Sequence, residues 1–152
     1  MRRLFFVTLF AVEFTTLLLF SRTTPTTAQL LAQQPSSVLS VDIAVKPGSD
    51  PAPINIKSDG KIPVAILSTD LFDATTVIMN STLFGIQGTE DSATHSSIED
   101  IDGDGRMDML LHFNTEHVGA QCGAIQVSLT GQTTNGEQIQ GFDSIRTVGC
   151  KE

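Results

Sequence analysis

The stretch AIQVSLTGQTTNGEQIQGFDSIRTV, residues 124–148, decides the fold class predicted for this chain. Its first half alternates like a half-buried β-strand, and the residues predicted to face a core are Ile125, Val127 and Leu129. Asn135-Gly136 follows, the strongest short signal for a two-residue hairpin turn. The returning half has apolar residues three apart, a helical spacing, but the turn requires a partner strand and Gly141 suits a β-bulge. An antiparallel hairpin is therefore predicted.

Three further stretches have the pattern of strands. VLSVDIAV (38–45) alternates throughout and predicts one strand whose apolar face consists of Leu39, Val41, Ile43 and Val45. KIPVAILS (61–68) is apolar nearly throughout, as a strand buried on both faces would be. Pro63 within it indicates an edge position or a bulge, because proline cannot donate a ladder hydrogen bond. MDMLLHF (107–113) alternates again, with one face made of Met107, Met109, Leu111 and Phe113.

The number and spacing of these stretches predict an all-β fold. Residues 69–85 are expected to hold a short helical turn near Leu71 and then a strand through Val77 and Ile78. Six to eight short strands in about 115 residues indicate a single β-sandwich, immunoglobulin-like or related. No repeat with a period of 20–50 residues is visible, which argues against a propeller or solenoid within this chain.

Two cysteines, Cys122 and Cys150, flank the predicted hairpin. With the turn centred between Asn135 and Gly136, the numbers of facing residues add to 271, and those of the cysteines add to 272. One bulge at Gly141 would place the cysteines opposite each other, so a disulfide is predicted in an oxidising compartment. Two free thiols are the alternative.

The N-terminus has the composition of a secretory signal peptide. Arg2 and Arg3 precede an apolar run, and Ala28 or Ala32 suits a cleavage site. The alternative is a retained membrane anchor, but the run is short for a span and contains Glu13. The predicted organisation is a signal peptide (1–28), a disordered leader (29–37) rich in Thr, Gln and Pro, and a calcium-binding β-sandwich (38–152). The protein is therefore expected to be secreted, periplasmic or on the cell surface, with no stable membrane span after cleavage.

The charge of the chain is strongly acidic and narrows the range of partners. The whole chain carries 9 Lys and Arg against 17 Asp and Glu, a net charge of −8. Without residues 1–28 these counts become 6 and 16, a net charge of −10. Such an excess argues against nucleic acid and against anionic membrane surfaces, and it favours bound cations. The expected partner is an unknown protein or glycan.

The stretch DIDGDGRMD, residues 100–108, contains the candidate site. Counted from Asp100, aspartates stand at positions 1, 3, 5 and 9, which matches the start of the calcium-binding rule of EF-hand loops. Ca²⁺ prefers six to eight oxygen ligands, and Gly105 at position 6 permits the sharp turn. The predicted calcium ligands are the side chains of Asp100, Asp102, Asp104 and Asp108 and the main-chain carbonyl of Arg106.

Two features separate this loop from an EF-hand. Position 12 is Leu111 and not a bidentate glutamate, and the residues that follow alternate as a strand and not as a helix. The loop is the shorter D-x-D-G-D-G-x-x-D form, which precedes a β-strand, so Asp108 is predicted to bind the ion directly. The alternative is a solvated Asp-Gly turn without metal.

DIDGDGRMDMLLHF (100–113) resembles the calcium loops of FG-GAP repeats, as in integrin α-propellers, and of bacterial VCBS repeats. Its first nine positions also resemble dockerin and thrombospondin type 3 loops. A wider resemblance, to an uncharacterised domain of secreted bacterial proteins, is carried by VDIAVKPGSDPAPIN, KIPVAILSTDLFD, HSSIEDIDGDGRMDMLLHF and SLTGQTTNGEQIQGFDSIRTV. This resemblance implies an extracellular β-rich module without an established activity.

Other candidate sites have weaker support. His95, His112 and His117 occur without an HExxH or Cys-x-x-Cys motif. Alternation places His112 on the same face as Asp108, where it suits a supporting contact with a calcium ligand and not coordination of the ion itself. No G-x-S-x-G elbow is present. Trp and Tyr are absent, which weakens a sugar-binding interpretation because sugar sites favour exposed aromatic residues.

The sequence therefore predicts a secreted calcium-binding module with a structural, adhesion or interaction role and no enzymatic activity. A calcium-dependent carbohydrate-binding module is the first alternative. A hydrolase that uses His95 or His112 is the second.

Overall fold

The computed structural model describes residues 37–150, so the predicted signal peptide and all but the last residue of the predicted leader lie outside the described residues. Within them the chain forms ten strands: β1 (Val38–Ser40), β2 (Ile43–Val45), β3 (Ala52–Asn55), β4 (Lys61–Ile66), β5 (Leu83–Gly85), β6 (Asp91–Ser92), β7 (His95–Glu99), β8 (Asp108–Asn114), β9 (Gln126–Gln132) and β10 (Gln138–Val148). Two short 3-10 helices cover Ala74–Thr76 and Met79–Ser81.

The ten strands form two sheets. One sheet has the order β1-β10-β9-β5-β6, and β3 joins it by pairing with the C-terminal part of β10. The other sheet has the order β2-β4-β8-β7 and is antiparallel throughout. Both β1 and β3 run parallel to β10, the first along Gln138–Gln140 and the second along Ile145–Val148. The predicted all-β sandwich is therefore confirmed.

The core lies between the two sheets and is formed by alternate residues of their strands. Phe84 of β5 and Phe113 of β8 are fully buried, and their ring centroids lie 4.9 Å apart with the planes tilted by 33°. These two residues join the sheets at the centre. Burial of one such side chain contributes on the order of 1.5–3 kcal/mol.

The stretch 38–45 is two strands, so the prediction of one continuous strand is wrong. β1 belongs to one sheet and β2 to the other, and the chain crosses between them at Val41 and Asp42. Val41, Ile43 and Val45 are buried as predicted, but Leu39 keeps 37% of its surface exposed. Val41 and Ile43 flank Asp42 at the crossing and are both buried, so the alternation of the sequence does not reveal the break.

Gly141 does not form the predicted bulge. The β9–β10 register is continuous from Gln138↔Gln132 to Ser144↔Gln126. A Cβ at Gly141 would lie 2.6 Å from Cγ2 of Ile43 and 2.9 Å from the carbonyl oxygen of Val41. Glycine is therefore needed here because the crossing segment runs directly over β10.

The hairpin turn is one residue longer than predicted. The amide of Thr133 donates to the carbonyl of Glu137, and the amide of Gly136 donates to the carbonyl of Thr133. Three residues, 134–136, therefore form the loop, and Gly136 adopts a φ of +85° at its last position. This is the common three-residue arrangement in which a left-handed residue ends a type I turn.

Pro63 lies in the middle of β4, between β2 and β8, so its predicted edge position or bulge is wrong. The register from Lys61↔Asn114 to Ile66↔Met109 has no interruption. The Pro63 carbonyl accepts from the Lys46 amide, and Lys46 leaves the strand with a φ of +47°. The missing N–H of Pro63 therefore faces the end of β2, where the ladder stops in any case.

Three further expectations differ from the structure. Ile125 and Met107 are 78% and 54% exposed, so neither faces the core as its pattern predicted. No strand runs through Val77 and Ile78; Val77 makes only an isolated bridge to Thr133. The helical turn expected near Leu71 begins after Asp73, whose carboxylate accepts the amide of Thr75 at 2.9 Å.

The disulfide between Cys122 and Cys150 is confirmed, with 5.8 Å between the two Cα atoms. Its predicted basis, a bulge at Gly141, was wrong. The β9–β10 ladder begins with the hydrogen bond from the Ile145 amide to the Ile125 carbonyl. The loop before it turns at residues 122–123 and brings Cys122 to the end of β10.

Candidate metal centre

The acidic loop connects β7 to β8, two neighbouring antiparallel strands. Glu99 pairs with Asp108 across the ladder, and residues 100–107 form the connection between them. Gly103 and Gly105 adopt φ values of +80° and +88°, a region that other residues enter at a cost. The two glycines allow the chain to curve tightly enough for its aspartates to converge.

Three of the predicted ligands converge: Asp100, Asp102 and Asp108 each offer a carboxylate oxygen within 4.8 Å of the others. Oxygens bound to one Ca²⁺ at 2.3–2.6 Å lie at most about 5 Å apart, so this spacing fits a single ion. Carboxylates this close repel one another unless a cation lies near them. The group could therefore hold a metal ion.

Asp108 is the anchor of this group and is fully buried. Its Oδ1 accepts the amide of Ser68 at 2.8 Å, and its Oδ2 accepts the amide of Ile101 at 2.9 Å. A buried carboxylate is tolerated only with such partners. The hydroxyl of Ser68 also donates to the carbonyl of Met107 at 2.7 Å. The acidic loop is thereby joined to the segment that follows β4.

Asp100 and Asp102 are exposed and are held by amides of their own loop. Asp100 accepts from Gly103 at 2.8 Å and from Gly105 at 3.1 Å. Asp102 accepts from the amide of Asp104 at 3.1 Å. These bonds orient two of the three carboxylates without help from the rest of the fold.

Asp104 lies outside the converging group. Its Oδ1 accepts the amide of Arg106 at 2.7 Å, and its Oδ2 is 2.5 Å from Nη1 of the same residue. The amide of Arg106 and, after it, its guanidinium lower the pKa of the Asp104 carboxyl. The ligand roles predicted for Asp104 and for the Arg106 carbonyl stay predictions.

Arg106 connects the acidic loop to Asp70. Its Nη2 forms an ion pair with Asp70 while Nη1 holds Asp104. Hydrogen bonds first to Asp104 and then to Asp70 raise the pKa of the guanidinium. Sequence reasoning missed Asp70 and Ser68, because neither belongs to the motif and only the fold brings the segment after β4 beside it.

The histidines form two separate arrangements away from the three carboxylates. His95 and His112 face each other across β7 and β8, with ring centroids 5.7 Å apart. Nδ1 of His112 is buried and has no hydrogen-bond partner among residues 37–150. Nδ1 of His117 lies 3.3 Å from Oδ1 of the buried Asp91. The supporting role predicted for His112 beside the metal ligands stays a prediction.

A cavity of about 290 Å³ lies beside the acidic loop, lined by parts of residues 68–75 and by Arg106 and Met107. Another, of about 460 Å³, lies beside the disulfide and is lined by Ile86, Glu90 and the loop that carries Cys122.

Within the described part of the chain, no helix is long and apolar enough to cross a membrane.

Fold and site together define an all-β sandwich with a carboxylate loop able to hold a metal ion. In comparisons with known proteins, no protein family, no curated protein and no solved structure matches this chain. The function therefore has to be argued from the chemistry of the site.

Proposed function

We propose that the protein is a secreted calcium-binding module with a non-enzymatic structural, adhesion or interaction role. The convergence of Asp100, Asp102 and Asp108 within 4.8 Å carries this proposal. The resemblance of the loop to FG-GAP, dockerin and thrombospondin type 3 loops agrees with it. The disulfide between Cys122 and Cys150 is consistent with an oxidising, extracellular compartment.

The chemistry of the donor set favours calcium over other metals. The group offers only carboxylate oxygens, and these suit hard cations, whereas Zn²⁺ and Cu²⁺ favour imidazole and thiolate. A curved loop with exposed aspartates and two glycines adapts to the six to eight ligands of Ca²⁺. Mg²⁺ requires a near-ideal octahedron at shorter distances and retains several waters.

The position of Asp108 supports a structural role for the ion. An ion bound to Asp100, Asp102 and Asp108 would connect the β7–β8 loop to β8. Through the amide of Ser68, it would also brace the segment after β4. An ion that binds the folded state stabilises it by RT ln(1 + [L]/Kd), so millimolar calcium stabilises even a weak extracellular site.

Isothermal titration with Ca²⁺ and, separately, Mg²⁺ tests the proposal. We expect one calcium site and much weaker magnesium binding. Asp102→Asn should weaken calcium binding by more than about tenfold, because it removes a charged ligand. Asp59→Asn is the matched control, since Asp59 is also an exposed aspartate but lies in the turn before β4. No heat of binding, or equal effects of the two substitutions, would contradict a site in this loop.

One observation favours the carbohydrate-binding alternative: the 290 Å³ cavity that shares Arg106 and Met107 with the loop. The hydrolase alternative gains no comparable support. His95 and His112 lie next to each other with their rings tilted by 50°, and Nδ1 of His112 has no hydrogen-bond partner among residues 37–150. The proposal therefore remains non-enzymatic.

A further inference from the structure

The cavity beside the acidic loop has an apolar wall and also contains a hydrogen-bond donor and a hydrogen-bond acceptor. Phe72 is half-buried and packs against the core, so its ring is held in place. Met107 lies beside it and is 54% exposed. Leu71, next to Phe72 in the chain, is 96% exposed. A ligand in this cavity would meet a fixed aromatic ring with flexible apolar side chains near it.

The polar groups of the cavity include a donor and an acceptor. Arg106 lines the cavity, and its guanidinium carries N–H donors. Oδ1 of Asp73 accepts the amide and the hydroxyl of Thr75 at 2.9 and 2.6 Å, while Oδ2 makes no hydrogen bond within residues 37–150. Asp73 is exposed, so its free oxygen is available as an acceptor.

The charge around the cavity selects a neutral ligand. The lining contains one carboxylate, Asp73, and one guanidinium, that of Arg106, which is paired with Asp70 and Asp104 outside the lining. An anion would meet the charge of Asp73, and a cation would meet the charge of Arg106. A neutral molecule with several hydroxyl groups can accept from Arg106, donate to Asp73 and rest a hydrocarbon face on Phe72. A sugar ring has this combination of groups, and the cavity is at the small end of ligand sites.

Arg106 also links the cavity to the metal site. Its Nη1 is engaged by Asp104, which stands at position 5 of the calcium rule but lies outside the converging group. If Asp104 turns to a bound ion, Nη1 is released, while Nη2 stays with Asp70. The released N–H then becomes a free donor at the wall of the cavity.

We propose that this cavity binds a neutral sugar residue, and that calcium strengthens the binding by drawing Asp104 away from Arg106. The calcium-dependent half of this inference rests on the proposed function. The cavity and its lining do not depend on it.

The test uses the purified chain and a panel of methyl glycosides of glucose, galactose, mannose and N-acetylglucosamine. Amide NMR spectra are recorded during titration in millimolar calcium and again in chelator. We expect at least one glycoside to cause saturable shifts confined to residues 68–75 and 106–107. Its affinity should be roughly tenfold weaker in chelator, the effect of losing one hydrogen bond from a charged group.

Matched substitutions separate the cavity from the rest of the surface. Phe72→Ala should abolish glycoside binding and leave calcium binding unchanged. Phe142→Ala is its control, because Phe142 is 51% exposed on β10 of the other sheet. Asp73→Asn provides a milder variant if Phe72→Ala unfolds the protein, and it should weaken glycoside binding several-fold. Native amide dispersion establishes that each variant is folded.

The outcomes are distinguishable. If the chain binds calcium but no glycoside shifts the cavity amides, the sugar site is refuted and the proposed function stands. If calorimetry detects no calcium binding, the proposed function fails, and saturable glycoside shifts in chelator would still support the cavity. Equal glycoside affinity in calcium and in chelator would refute the link through Arg106.

Discussion

Asp108 and Asp102 belong to one carboxylate group but have different surroundings, and this difference separates their effects. Asp108 is buried and accepts two amides, whereas Asp102 is exposed and accepts one from its own loop. Asp108 therefore has a role in the fold that does not require an ion. Asp102 has little to stabilise except a bound ion.

Asp108→Asn should destabilise the protein both in calcium and in chelator. The new amide group would face an N–H donor, either that of Ser68 or that of Ile101, and leave it unsatisfied. The expected loss is about 1–3 kcal/mol in the free energy of unfolding.

Asp102→Asn should lower stability only in calcium. Urea denaturation under both conditions measures this, and equal losses for Asp102→Asn in calcium and chelator would contradict a metal role.

Gly141→Ala should lower the free energy of unfolding by about 1–3 kcal/mol, because the added methyl group overpacks the crossing between β1 and β2. The contact at 2.9 Å is with a main-chain oxygen, which cannot rotate away. Gly60→Ala is the control, since its added Cβ would meet only the hydroxyl of Ser58 at 3.0 Å. Similar denaturation midpoints for wild type and Gly141→Ala would show that the two segments can separate at little cost.

At the scale of the element, the disulfide holds together two segments that the ladder does not join. Cys122 lies in the loop before β9, and Cys150 follows the end of β10. The bond closes a loop with a sequence separation of 28 residues. It therefore restricts the unfolded chain more than it adds contacts to the folded one.

Reduction of this disulfide should lower the melting temperature. The chain-entropy relation gives about 3–4 kcal/mol for a loop of this length, as an upper expectation. A Cys122→Ser, Cys150→Ser double variant should melt at the temperature of the reduced wild type. Thermal denaturation monitored by circular dichroism, with and without reductant, measures both. An unchanged wild-type melting temperature in reductant would mean that the bond does not stabilise the fold.

Most elements could be predicted from alternation and turn residues, and the failures have local causes. The β9–β10 hairpin and the buried β4 follow directly from their patterns. The break at Val41 could not be predicted, because alternation carries on when a strand passes from one sheet to the facing one. Pro63 was misplaced because its effect depends on where the neighbouring β2 ends, and that is a property of two strands together.

The metal loop could be predicted from the local spacing of its residues, whereas the residues that surround it could not. The spacing of Asp100, Asp102 and Asp108 is sufficient to bring them together once Gly103 and Gly105 allow the turn. The pairing of Arg106 with Asp70 depends on residues 36 positions apart in the chain. No sequence pattern indicates such a contact, nor the adjoining cavity, which is lined by residues from the same two distant segments.

For the whole molecule, the dominant feature is negative charge. Residues 37–150 contain 5 Lys and Arg against 15 Asp and Glu, a net charge of −10. Such an excess destabilises a compact state by self-repulsion, and salt screens it over about 10 Å at 0.1 M. Cations should therefore stabilise this fold in two ways, by general screening and by specific binding.

Added sodium chloride should raise the melting temperature in chelator, and the rise should be smaller once calcium is bound. The bound ion already neutralises part of the densest cluster, so less repulsion remains to be screened. Melting curves over a range of salt concentrations, with calcium or chelator, measure the two slopes. Equal slopes would show that the loop contributes little to the total repulsion.

The parallel pairing of β10 with both β1 and β3 has a consequence for how the protein is made. On a ribosome or at an export channel, β1 and β3 emerge long before their partner β10 does. Among residues 37–150, each of these strands pairs only with β10, some ninety to one hundred residues later. This sheet therefore closes late and over long sequence distances, which slows folding. β1 and β3 therefore stay without their strand partner for most of the time that the chain is being made.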